Sequence, residues 1–187
     1  MIEEKIEKVV DQILEDYRHD RDIDRMDILR QPDKDVIIDI IMKLRRIVFP
    51  GYFRDKDYRI YNAKHNLSML IEDVMFNLSR QVALVLQSTG ETNPKTKADE
   101  LCLAFLGQLP QVRQLVQTDL QAAFDGDPAA SGKAEIIFSY PGLFAITVYR
   151  LAHVLYQQSK TLLPHMSLRP CMLQAVTYCY LHPLHPK

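Results

Sequence analysis

Through the first 164 positions of this chain apolar residues recur at steps of three and four, the spacing of a helix face, and nowhere alternate with polar residues as a half-buried strand would. Ile2, Ile6, Val9, Val10, Ile13, Leu14 and Tyr17, separated by Glu, Lys and Asp, predict an amphipathic helix at the start. The alternating charges from His19 to Arg25 read as a solvated connection that ends near Pro32. Pro32-Asp33 offers the next helix start. Val36, Ile37, Ile40, Ile41, Leu44, Ile47 and Val48 then make a face broad enough to be buried on more than one side, until Pro50-Gly51 stops it. Between Tyr52 and Tyr61, the rings of Phe53 and Tyr58 together with Ile60 suggest a loop packed onto neighbouring helices. No glycine-rich phosphate cradle accompanies it that would support nucleotide stacking.

A third helix, with Asn66 or Ser68 as its cap, carries Leu67, Leu70, Ile71, Val74, Met75, Leu78, Val82 and Leu86. Ser88-Thr89-Gly90-Glu91-Thr92-Asn93-Pro94 is the clearest breaker in the chain and divides a helical extension, 1–93, from a second helical domain, 94–164. That domain is expected to hold a helix through Leu101, Leu103, Leu106 and Leu109, closed by Pro110. A second helix runs through Val112, Val116 and Leu120 to Asp125-Gly126, and a last one spans roughly Leu143 to Gln157. The last has so little polar surface that it should be buried or lie in a subunit contact. The fold class is all-α.

Charge narrows the possible partners. With 23 basic and 24 acidic residues the net charge is −1, so no global field would hold nucleic acid or an anionic membrane. Met1-Ile2-Glu3-Glu4-Lys5 is unlike a secretory signal, and no apolar run approaches the ~18 residues of a spanning helix, so a cytoplasmic location is expected. The three cysteines, Cys102, Cys171 and Cys179, are too few and too irregularly spaced for a disulfide framework. With His182 and His185 they also lack the paired knuckle of a zinc site, so no metal is expected.

Two groups of residues could carry chemistry. Asp125-Gly126-Asp127-Pro128 reads locally as a helix end followed by a proline-anchored restart that Asp127 could cap. Tyr149, Arg150 and His153 lie at helical spacing and can share a face. As a catalytic His-Arg pair they are less apt than as a structural pair that holds helix to helix.

The run Phe124-Asp125-Gly126-Asp127-Pro128-Ala129-Ala130, followed by Tyr140-Pro141-Gly142 and by Tyr149-Arg150-Leu151-Ala152-His153, resembles the end of the helical N-terminal domain of serine O-acetyltransferases. The first ninety residues resemble the longer helical extension of the anaerobe-type branch. The resemblance implies acetyl transfer from acetyl-CoA to the hydroxyl of serine, in cysteine biosynthesis. It places Asp127, with Pro128 beside it, in the pocket for the amino-acid substrate, where a carboxylate can pair with an ammonium. It also implies that the general base and the acetyl-CoA groove belong to a left-handed β-helix of hexapeptide repeats. No such repeat is found in these residues, so neither a catalytic residue nor a cofactor site is expected here, and the chain should not turn over alone. The helical domains of the family build trimer and hexamer contacts, which implies association with itself or with full-length copies. The alternative function is a stand-alone helical oligomerisation module.

The family pattern is followed to Leu162-Leu163-Pro164. Residues 165–187 hold none of the acidic residues but His165, His182 and His185, and two of the three cysteines. This break fits a frame change or a chance extension. The other reading is a divergent natural tail packed through Val176, Tyr178, Tyr180 and Leu181.

Overall fold

The structure is a computed structural model in which residues 2–19, 21, 32–53 and 63–162 are described, 160–162 by backbone alone. The connection 22–31, Tyr58, Ile60 and everything from 163 onward, including Cys171, Cys179, His182 and His185, lie outside the described residues, as does the expectation about the tail. The described residues are helical, without a strand, as the spacing of apolar positions predicts. The helices are α1 (Ile2–Asp16, followed by a 3-10 turn, Tyr17–His19), α2 (Lys34–Val48), α3 (Ala63–Ser88), α4 (Pro94–Gly107), α5 (Leu109–Gly126), α6 (Lys133–Ser139) and α7 (Pro141–Leu162). The chain falls into two compact units, Met1–Gln31 and Pro32–Lys187.

The first unit is α1 and its 3-10 turn. None of its described residues is buried: Ile2, Ile6, Val9, Val10, Ile13, Leu14 and Tyr17 are all exposed, from 43% to 75%. Exposed ion pairs such as Arg18–Glu15 at 2.7 Å contribute little to holding it.

In the second unit α2 starts where Asp33 caps it, its carboxylate accepting from the N–H of Asp35 at 2.8 Å and of Val36 at 3.2 Å, a cap worth about 1 kcal/mol. The Asp33 N–H itself donates to Gln81 Oε1 at 2.7 Å, which ties the start of α2 to α3. Beyond α2, Gly51 has φ 93°, the left-handed conformation that lets the chain turn away. The broad apolar face of α2 is buried on two sides. Ile40, Leu44, Ile47 and Val48 join the main core, and Ile37 and Ile41 join a smaller cluster with Val148.

Helix α3 begins at Ala63, so Asn66 and Ser68 lie inside its first turns and cannot be its cap, which requires non-helical backbone ahead of the first turn. The Ser88–Pro94 breaker is the turn of a helical hairpin. Gly90 takes φ 80°, the Glu91 N–H donates to the Leu86 carbonyl at 3.2 Å, and Pro94 opens α4, where its missing N–H costs nothing. The two arms share one interior: Val74, Leu78, Val82 and Leu86 of α3 pack in the same cluster as Ala98, Leu101, Cys102 and Phe105 of α4. Helix α4 packs against both α3 and α7, and its four core residues are all 0% exposed.

Helix α7 commits Leu143, Val148, Leu151 and Leu155 to the interior, while Ile146 and Tyr149 stay exposed. Its apolar run is therefore mostly core rather than a bare surface. The large exposed apolar side chains lie elsewhere as well, on α1, at Phe76 of α3 and at Leu103 of α4. Helix α6 was not expected from the pattern. Its seven residues, between Gly132 and Pro141, span too few turns to show a period.

Candidate functional site

Asp127 and Tyr140, 13 positions apart, meet because two prolines shape the backbone in the same way. A residue before proline is driven out of the helical region. Asp127, before Pro128, ends α5 with φ −121° and ψ 98°, and Tyr140, before Pro141, ends α6 with φ −86° and ψ 110°. The Ala130 N–H donates to the Asp127 carbonyl at 3.1 Å and closes the first turn between the helices, and the Tyr140 N–H donates to the Ile136 carbonyl at 3.1 Å. The Tyr140 hydroxyl thereby reaches back over α6 and donates to Asp127 Oδ2 at 2.6 Å. The Ala129 N–H donates to Oδ1 of the same carboxylate at 2.9 Å.

Each Asp127 oxygen is thus held by one donor and keeps a free lone pair. The side chain is half-buried, and Pro128 beside it is exposed. Hydrogen bonding from Tyr140, reinforced by the Ala129 amide, holds the Asp127 carboxyl below the usual range, so it is an anion near neutrality. The same bond, with desolvation and the charges of Asp127 and Glu135, pushes the Tyr140 phenol up to about 12. The bond therefore contributes stability above the ordinary carboxylate value of 3.8 and loses it as pH falls through the lowered Asp127 value. At the alkaline end it is fully present below the ordinary phenol value of 10.0 and is lost as pH rises through about 12.

A second carboxylate stands nearby. Glu135 sits in the first turn of α6 and reaches back to Ser131, whose N–H and hydroxyl donate to Oε2 at 2.8 and 2.6 Å, a variant of the capping box. Those bonds hold Glu135 below its usual range, and the charge of Asp127 works against them. Lys133 is drawn off by Gln121 Oε1 and lies 5.7 Å from the Phe124 ring centroid. The C-terminal end of α5, with its unsatisfied carbonyls, adds a partial negative charge at Asp127. Asp127 at the C-terminus of α5, with the Glu135 carboxylate in the first turn of α6 acting on it, makes a place that favours a cation.

Arg150 points elsewhere: from α7 it grips Asp119 of α5 with Nε and Nη2, the latter at 2.6 Å from Oδ1. Tyr149 and His153 stack on one another with centroids 6.0 Å apart, and His153 shares a hydrogen bond with Gln157. The three therefore share no site. Cys102 is buried beneath α3, and desolvation first, then the charge of Asp99, pushes its thiol up to about 12, which leaves it inert. Among the described residues no group of three or more His, Cys, Asp or Glu could hold a metal ion. A cleft of about 800 Å³, lined by Lys43, Arg46, Leu70, Leu109 and Arg113 among others, includes neither Asp127 nor Tyr140.

The partners of Asp127 escaped the sequence reading. The signal that would have found them is the repeated residue-proline step, Asp127-Pro128 and Tyr140-Pro141, on either side of a short helix.

No family model matches the chain. Its sequence is 34% identical over 145 residues to a plasmid-encoded serine acetyltransferase of Synechococcus elongatus, across 73% of this chain and 46% of that protein. A serine acetyltransferase of Mycobacterium tuberculosis is 49% identical over a shorter stretch of 45 residues, 24% of this chain and 20% of its own length. Among solved structures, serine acetyltransferase isoform 3 of Entamoeba histolytica, crystallised with cysteine, aligns at a TM-score of 0.50 and 29% identity. It covers 73% of this chain and 44% of its own. The native serine acetyltransferase 1 of the same organism aligns at a TM-score of 0.50 and 27% identity, over 96% of this chain and 61% of its own. The chain spans about half the length of the first of these relatives, and, with its described residues helical and without a strand, it belongs to the serine acetyltransferase family as an N-terminal portion.

Proposed function

We propose that this portion contributes the ammonium-binding wall of a serine acetyltransferase site, with Asp127 as the contact to the substrate's amino group and Pro128 shaping the backbone beside it. The observation that carries the reading is the Asp127 carboxylate itself, held below its usual range, fixed by two donors and half-buried at the α5–α6 turn, with lone pairs left over on its oxygens. Acetyl-CoA would be the co-substrate of the intact enzyme. By the family resemblance the base for the serine hydroxyl belongs to the β-helix, so Asp127 holds the ammonium alike in the ground and transition states, and such uniform binding does not lower the chemical barrier. The test is L-serine binding to this chain, followed by NMR at the Ala129 amide. One charge-assisted contact supports an affinity on the order of 10 mM, abolished by Asp127→Asn and absent for N-acetyl-L-serine, which has no ammonium. Thiol release from acetyl-CoA should show no dependence on serine. Serine-dependent turnover, or binding that survives Asp127→Asn, would overturn the reading.

The chain also self-associates in this proposal, in a cytoplasmic setting, with itself or with full-length copies, in the trimer or hexamer manner the family implies. The support is α1, whose six apolar residues are all exposed, as is Tyr17 of the 3-10 turn after it, a face that water disfavours and a second copy can cover. In this reading 1–93, 94–164 and 165–187 are segments marked out by the family resemblance rather than separate cores, since α3 and α4 pack together across the first boundary. Among the described residues no helix is long and apolar enough to cross a membrane. Sedimentation velocity should show an oligomer, and replacing Ile6, Val9 and Ile13 by Ser should shift it toward the monomer. A wild-type chain that sediments as a monomer at micromolar concentration would end this part of the proposal.

A further inference from the structure

The Tyr140 hydroxyl does more than decorate the end of α6. A carboxylate on a free side chain must give up rotamer freedom when it grips an ammonium, whereas one already held at both oxygens has given it up beforehand. The Ala129 amide holds Oδ1 from the next turn of the same segment, and Tyr140 holds Oδ2 from beyond α6. Only the second bond therefore ties the carboxylate to a different helix. Pro141 fixes the extended backbone at Tyr140, so the ring is itself prepositioned.

We infer that Tyr140 is a positioning residue for amino-acid binding, fixing the Asp127 carboxylate across the α5–α6 turn so that its remaining lone pairs face the ligand ammonium. This rests on the reading of Asp127 as the ammonium contact. The phenol stays protonated through the neutral range and so is always a donor to this carboxylate. Glu135 is the other charge that acts on Tyr140, and its own bonds to Ser131 keep it anionic over the same range. Its charge adds to the attraction for a cation without competing for the Tyr140 proton.

The experiment is Tyr140→Phe in this chain, which keeps the ring and removes one hydrogen bond. Three quantities are read: the pH titration of the Asp127 carboxyl carbon by NMR, the L-serine titration at the Ala129 amide, and helicity by circular dichroism. The Asp127 midpoint should rise toward the ordinary carboxylate value, helicity should be unchanged, and serine should bind about 2- to 10-fold more weakly, the worth of ordering one side chain. A midpoint that does not move, or serine affinity equal to wild type, overturns the inference even where Asp127→Asn abolishes binding and the parent reading stands. A wild-type chain that shows no ammonium-dependent response to L-serine removes the parent reading, and the inference with it. Glu135→Gln is the control for general electrostatics: it weakens binding through charge while leaving the Asp127–Tyr140 bond and its low Asp127 midpoint in place.

Discussion

Phe105→Ala should cost about 3–5 kcal/mol of folding free energy, the range for removing a large aromatic from a filled interior. Phe105 is 0% exposed and sits in the last turn of α4, the helix that packs against both α3 and α7. Its ring shares a cluster with Leu78 and Val82 of α3 and with Leu151 and Leu155 of α7. The walls of the cavity left behind belong to three helices fixed by their own contacts, so the site cannot collapse to fill it. A loss of this size is a large part of the 5–15 kcal/mol that keeps a domain folded. In urea, with a slope of about 1–3 kcal/mol per molar, the midpoint should fall by roughly 2 M. A loss under ~1 kcal/mol would mean that α4 is not the centre of the unit. Leu103→Ala on the same helix is the control, since Leu103 is 63% exposed and should change stability little.

That α4 would be a helix was legible in the sequence, because Leu101, Leu103, Ala104 and Leu106 recur at helical steps, but Leu109 and Pro110, expected to close it, instead open α5, since α4 ends at Gly107 and proline fits a helix's first turn. That it would be central was not. Spacing shows that a face is apolar but not how many neighbours cover it, and α4 carries apolar residues around much of its circumference. The Ser88–Pro94 breaker was legible as a break for the same reason it works as a turn, a glycine able to take positive φ and a proline that can only begin a helix. Whether the two sides share a core is a long-range fact, set by Leu78 and Phe105 rather than by any residue in the break.

The site shows the same division. Asp127 stands out in the sequence through the D-P-A element and its family likeness, and the local turn that it closes follows from Pro128. Tyr140 belongs to the Y-P-G element of the same likeness, but nothing local in that element marks Asp127 as its partner. Its hydrogen bond depends on the length of α6, and α6 is hidden because seven residues give no measurable period. Asn66 and Ser68 failed as caps for a complementary reason. Capping residue types are common in polar stretches, and choosing among them requires knowing where the backbone leaves the helix.

Asp119→Ala should destabilise the unit by about 1–3 kcal/mol, less than the 3–5 typical of a fully buried pair because the side chains of Arg150 and Asp119 are still 28% and 15% exposed. The guanidinium of Arg150 meets the carboxylate with two nitrogens and so clamps α7 to α5, and hydrogen bonding to Asp119 raises the Arg150 pKa despite desolvation. Removing Asp119 leaves a cation in a half-buried place with no matched acceptor, which costs more than the pair is worth. The double replacement Asp119→Leu with Arg150→Met should therefore recover most of the loss, since two apolar side chains of similar size need no partner. Arg150→Lys with Asp119 kept should also destabilise the unit, because a single ammonium cannot reproduce the two-nitrogen grip. Chemical denaturation of Asp119→Ala, Arg150→Ala and their double replacement beside the parent chain gives the coupling energy directly. If Asp119→Ala and Arg150→Ala prove additive, the clamp holds nothing, and the packing of Val112, Val116 and Leu120 against α7 must account for the whole α5–α7 contact.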